Sequence, residues 1–126
     1  MQIEVALTTF LETALAMSVY PIIQPQDAPF PYVVYSMAIE EPEKAILHVD
    51  FDKATVTIDA YSEGYDKCWE LTRLARVAIR DFKGLMAGPT GVRVESADFI
   101  GASDGYDYDI GSMFVRSTYE VQYLPE

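Results

Sequence analysis

Apolar and polar positions alternate along this chain with two different periods, and the switches between them mark its elements. Over residues 3 to 18, Ile3, Leu7, Phe10, Leu11, Ala14, Leu15 and Met17 fall on one arc at about 100° per residue, while Glu4, Thr8, Thr9, Glu12 and Thr13 occupy the remainder. This spacing predicts an amphipathic helix that stops before Pro21. Pro21, Pro25, Pro29 and Pro31 follow within eleven residues, and their fixed φ predicts a stiff, extended connector. Tyr32 to Ile39 is rich in β-formers on both of its alternating faces, which predicts a strand covered on both sides.

Residues 40 to 52 gather Glu40, Glu41, Glu43, Asp50 and Asp52 around Pro42 and read as a long acidic loop, with Ile46 to Val49 able to add a short strand. From Lys53 to Tyr61 the period is two, with Ala54, Val56, Ile58 and Ala60 turned inward. Ser62 is a suitable N-cap, and Cys68, Leu71, Leu74, Ala75, Ala78, Ile79 and Phe82 then recur at helical spacing from Tyr65 to Phe82, with Gly84 placed as the C′ residue. After the turn at 88 to 91, Val92–Val94 and Ala97–Ile100 read as one irregular strand, bulged near Glu95 and Ser96. Ser103–Asp109 reads as a loop and Phe114–Tyr123 as a terminal strand. The predicted fold is a single α+β domain over residues 1–126. It carries a mainly antiparallel sheet of four to five strands and two helices in the order α-β-β-α-β-β.

Composition narrows the function. Nine Lys and Arg against twenty Asp and Glu give a net charge of −11, which disfavours a dedicated nucleic-acid binder because phosphate affinity comes from displaced counterions. One cysteine and one histidine preclude an internal disulfide framework and a Cys/His zinc site. The lone thiol fits a reducing cytoplasm. With no basic N-terminal region and no apolar run near the roughly 20 residues of a bilayer span, neither export nor membrane insertion is expected.

Little in the sequence points to catalysis. Cys68 sits on the apolar arc of the second predicted helix, and His48 lies in the acidic loop without a nucleophile beside it. Asp104, Asp107 and Asp109 share a glycine-containing segment, but their spacing departs from the EF-hand pattern, so no metal, cofactor or catalytic residue is assigned. The distinctive surface is on the second helix. Arg73, Arg76, Arg80 and Lys83 fall within about 80° of arc, with Trp69 in the same stripe, on the side read as lying across the helix from the core. Two readings stand: a solvated helix with local ion pairs, or a stripe that docks on an acidic segment of a neighbouring identical subunit, for which 40 to 52 is favoured.

In order along the chain come Tyr20-Pro21, Pro25-Gln26-Asp27-Ala28, Pro31-Tyr32-Val33-Val34-Tyr35, Val56-Thr57-Ile58-Asp59-Ala60-Tyr61, the helix from Tyr65, Tyr106-Asp107-Tyr108-Asp109 and Phe114-Val115-Arg116. Together with the closing strand, this series resembles the tail completion (tail terminator) proteins of long-tailed bacteriophages over nearly the whole chain. The resemblance implies a non-enzymatic α+β virion subunit, assembled in the host cytoplasm as a hexameric ring. Such a ring caps the tail tube at the head–tail interface and offers a surface to the head connector. Its implied partners are therefore copies of itself, the tail tube protein and the connector, with DNA passing through unbound. An acidic lumen, from 40 to 52 or from Asp104, Asp107 and Asp109, would repel phosphates. The alternatives are a head-side neck or connector protein, and a small cytoplasmic ligand-binding or hydrolytic domain that uses carboxylates.

Overall fold

The computed structural model describes residues 2–21, 30–40 and 51–124. The first helix, α1, covers Ile3–Leu15 and turns Ile3, Ala6, Leu7, Leu11 and Leu15 into the core. It ends three residues earlier than the apolar periodicity allows, because Ala16 takes a left-handed backbone (φ 54°) and redirects the chain. The redirected chain forms a three-residue strand, β1 (Val19–Pro21), which runs parallel to β2 (Tyr32–Glu40) and pairs Val19 with Val33 and Pro21 with Tyr35. A proline fits there because β1 is an edge strand.

After β2 the described chain resumes with β3 (Asp52–Ser62), α2 (Tyr65–Ile79), β4 (Gly84–Met86), β5 (Val92–Asp107) and β6 (Ser112–Tyr123). The six strands form one sheet in the order β1-β2-β3-β6-β5-β4. Every neighbouring pair except β1 and β2 is antiparallel. The α+β class and the two helices match the sequence reading. The strand count and the element order do not, because β1 and β4 are only three residues each, too short to show a period. Their parent sheet, not their local sequence, makes them strands.

Both helices cover one face of the sheet. Leu7 and Leu11 of α1 and Leu71, Ala75 and Ile79 of α2 share a core with Val33 and Tyr35 of β2, Val56 and Ile58 of β3 and Tyr119 and Val121 of β6. The opposite face carries a smaller cluster of Tyr32, Val34 and Tyr61 flanked by Tyr20, Phe30, Ile110 and Phe114. Thus β2 is indeed covered on both sides, with Tyr32 to Tyr35 all buried.

Three further expectations are corrected. Helix α2 stops at Ile79, not Phe82: the Arg80 N–H still donates to the Arg76 carbonyl at 2.9 Å, but Asp81 adopts φ 61° and its N–H donates to Ala97 of β5. Gly84 is therefore the first residue of β4 rather than a C′ residue, and its φ of 121° suits that entry. The N-cap of α2 is Gly64, whose N–H donates to the Ser62 side chain at 3.2 Å.

Ser103–Asp107 is strand and not loop, since it pairs residue by residue with Ser112–Arg116 of β6. Its aspartates and glycine carry a turn signature, but a fully formed partner strand overrides it. The turn itself is Tyr108–Gly111. There the Asp107 carboxylate accepts the Asp109 and Ile110 N–H groups at 3.0 and 3.1 Å, and Gly111 has φ 75°. The expected bulge beside Glu95 is present between Val94 and Ser96, and a second register shift lies between Phe99 and Gly101. Because β4 pairs only with Val92–Val94, the outer edge of β5 from Asp98 to Asp107 has no strand partner among the described residues.

The turn between β4 and β5 gives a direct test. A Cβ on Gly91 would lie 1.7 Å from the Met86 carbonyl oxygen, whereas one on Gly101 would meet nothing within 4 Å. Gly91→Ala is expected to lower the unfolding free energy by about 3 kcal/mol and Gly101→Ala to change it by less than about 1 kcal/mol, read from urea titrations of the two variants.

Candidate assembly surface

Helix α2 seats Cys68, Leu71, Thr72, Ala75 and Ile79 on the sheet. Cys68 is a core residue. Its thiol faces the Ser62 and Met113 carbonyls at 3.7 and 3.5 Å, and burial pushes its pKa up. Leu74, expected on the inward arc, is 43% exposed, because helical spacing places it well off the line through Cys68, Ala75 and Ile79.

The basic stripe runs along the flank of α2 beside the core face, not across the helix from it. At about 100° per residue, Trp69, Arg73, Arg76 and Arg80 fall roughly 80° to 140° from the buried line, and Arg76 on this flank overhangs β5. The Arg76 guanidinium lies 4.1 Å from the centroid of the Phe99 ring, and Phe99 in turn packs on buried Tyr119. This cation–π stack fixes one arginine of the stripe against the sheet while leaving its polar edge exposed. Trp69 is half-buried and meets the edge of Tyr65 at 6.5 Å, and the Tyr65 hydroxyl donates to the Asp104 carboxylate at 2.7 Å. That bond, first among its causes, raises the Tyr65 pKa. The start of α2 is thereby tied to β5.

Arg73, Arg76, Val77, Arg80 and Asp81 line an open groove of about 520 Å³. Val77, between the arginines, is 81% exposed. Among the described residues the groove contains one ion pair, Arg80 with Asp81 at 3.6 Å, and both partners face solvent. Lys83 does not extend the stripe. It lies beyond the helix end, beside a separate shallow depression with Phe82, Glu95 and Asp98.

The acidic residues do not gather as expected. Asp104 faces α2, whereas Asp107, three positions on in a regular stretch of strand, lies on the opposite face, where its charge raises the pKa of Tyr32 and Tyr61 after the larger effect of burial. Asp109 is exposed in the turn. Among the described residues no group of three His, Cys, Asp or Glu converges to hold a metal ion. Glu40 ends β2 and Asp52 opens β3, while Glu41, Glu43, Asp50 and His48 lie outside the described residues.

Sequence reasoning missed the aromatic row on the face away from the helices. Tyr32, Tyr61 and Phe114 are cross-strand partners on β2, β3 and β6, and Phe30 stacks on Tyr32 at 5.2 Å. The row ends where Phe114 lies over Gly105, at which a Cβ would come within 2.9 Å of the ring. Next to it, Arg116 donates to both oxygens of Asp59 at 2.9 and 3.2 Å. Only the strand register, which single-strand periodicity does not encode, brings these side chains together.

The features that set this α+β module apart are thus surfaces: a basic helix flank, an aromatic face and a hairpin tip with exposed tyrosines. Residues 4–121 match the family model described as "Tail completion protein gp17", and the chain belongs to that family. It is a structural phage tail protein, associated with the virion. A chain in the solved structure titled "Virion of native gene transfer agent (GTA) particle" is similar in fold, with a TM-score of 0.63 at 11% sequence identity over 90% of this chain and 83% of that one. Among curated proteins none matches.

The aromatic row has a pH signature. Burial, with Asp59 and Asp107 nearby, pushes the Tyr61 hydroxyl up from 10.0 to about 12. The folded state therefore holds a proton that the unfolded state has released across that window. This contribution to stability is full below pH 10 and is lost as pH rises toward 12. Tyr61→Phe should flatten that fall, measured as unfolding free energy against pH.

Proposed function

We propose that the chain is a tail terminator subunit that closes into a hexameric ring on the end of the tail tube. In this reading the ring forms in the host cytoplasm, halts tube growth and presents its other face to the head connector. The observation that carries it, beside family membership, is the separation of charge: a chain of net charge −11 keeps Arg73, Arg76 and Arg80 together on one groove. Two unlike patches on one subunit make a heterologous contact, and such contacts close into rings when the rotation between neighbours permits. Trp69 flanks the basic side of this contact, while Lys83 lies beyond the helix end, outside the groove. The acidic side comes from the segment 40 to 52, with Glu40, Glu41, Glu43, Asp50 and Asp52, or from the hairpin bearing Asp104, Asp107 and Asp109. Whichever acidic segment is left out of the contact is free to line the bore, where like charge keeps passing DNA from adhering.

The mechanism needs no chemistry on a substrate. One face of the ring complements the last tube ring, the other gives no purchase to a further tube subunit, and growth stops.

Light scattering tests the reading. The wild-type assembly should have a mass near six times 14.1 kDa, in solution or when recovered from tail ends, and Arg76→Glu with Arg80→Glu should reduce it to the single chain. A wild-type chain that stays single both in solution and on tails overturns the ring; an unchanged mass in the double variant removes the basic groove from its contact.

A further inference from the structure

We infer that the groove on α2 receives the tip of the β5–β6 hairpin of a second copy of this chain, an inference that rests on the ring reading above. The groove presents guanidinium groups from Arg73, Arg76 and Arg80 around Val77, which is 81% exposed. An occupant that offers both carboxylates and an apolar group therefore complements this lining. The hairpin tip has both. Tyr108 is 88% exposed and Tyr106 49% exposed, their rings packed edge to face at 5.0 Å, with Asp109 beside them in the turn.

Large aromatic side chains standing in water at the end of a rigid hairpin are costly to an isolated subunit and are the usual anchors of an interface. Tyrosine rings give cation–π contact to arginine, and carboxylates give paired hydrogen bonds to guanidinium. Asp107 is less available, because one of its oxygens is held by the turn N–H groups.

A subunit cannot fill its own groove. Asp81, at the end of the groove, is bonded to Ala97 of β5. From there to Tyr108 the strand runs eleven residues further, roughly 35 Å in extended backbone. Even where Arg76 stacks on Phe99, the groove is nine residues from Tyr108, so the two patches are well apart along β5 and the contact runs head to tail. This choice assigns the hairpin to the intersubunit contact and leaves segment 40 to 52 for the bore.

Cysteine pairing tests the contact directly. Val77→Cys and Tyr108→Cys are made as separate chains, both at exposed positions, while the native Cys68 is buried. The chains are mixed, assembled in solution or onto tails, and oxidised. A disulfide that joins Val77→Cys of one copy to Tyr108→Cys of another supports the docking. Full assembly without that disulfide overturns it and leaves the ring intact, whereas no assembly of either wild type or variants overturns the ring reading as well. Tyr108→Ala should raise the concentration for half-assembly by roughly tenfold or more with an unchanged folded signal. The exchange of Asp109→Lys on one chain for Arg80→Glu on the other should recover part of the assembly lost by each single variant. Wild-type assembly by Tyr108→Ala together with Asp109→Lys would refute the contact.

Discussion

The pairing of β3 with β6 is the constraint on which the rest of the molecule depends. It runs from Asp52 opposite Tyr123 to Ser62 opposite Met113 without a register shift, and it sets which side chains face the helices. Ala54, Val56, Ile58 and Ala60 on one strand and Val115, Ser117, Tyr119 and Val121 on the other all turn inward, and all are buried. A slip of β6 by one residue against β3 would send its inward set to the far face and bring Arg116 and Glu120 beneath α1 and α2. The Asp59–Arg116 pair across the ladder fits only the observed register. It contributes specificity more than energy, since the Arg116 side chain is more than half exposed.

What the sequence makes legible follows from how local each signal is. Helix α2 and strands β3 and β6 are long, and their apolar periods are strong enough to survive any tertiary setting. Strands β1 and β4 exist because an edge was available to pair with, and three residues cannot announce that. Ser103–Asp107 shows the reverse case: its aspartates and Gly105 favour a turn, yet β6 supplies a partner for each residue, and Phe114 covers the surface that the missing glycine side chain leaves bare. The basic stripe was visible as a spacing. Its place on the flank was not, because that depends on how α2 is rolled on the sheet, and Lys83 drops out because Asp81 ends the helix first. The three aspartates are neighbours in sequence, but the strand sends Asp104 and Asp107 to opposite faces and Asp109 lies in the turn.

The surface chemistry divides in a way that composition conceals. The charge of −11 describes a chain that is acidic on average, but its arginines are used in two different manners. Arg116 is consumed inside the subunit by Asp59, and Arg76 is half-consumed by Phe99. Arg73 is exposed on α2, and Arg80, just past the end of that helix, pairs with exposed Asp81. Side chains of one type thus differ in the partners that they find inside the subunit.

The bare outer edge of β5 has its own consequence. A stretch from Asp98 to Asp107 without a strand partner among the described residues would ordinarily invite other chains to extend the sheet. Here the edge is interrupted by the shift between Phe99 and Gly101 and studded with Asp98, Asp104 and Asp107, so an incoming strand meets a broken hydrogen-bond ladder and repulsive charge. The irregularity and charge of this edge thus disfavour sheet-to-sheet association of copies through it.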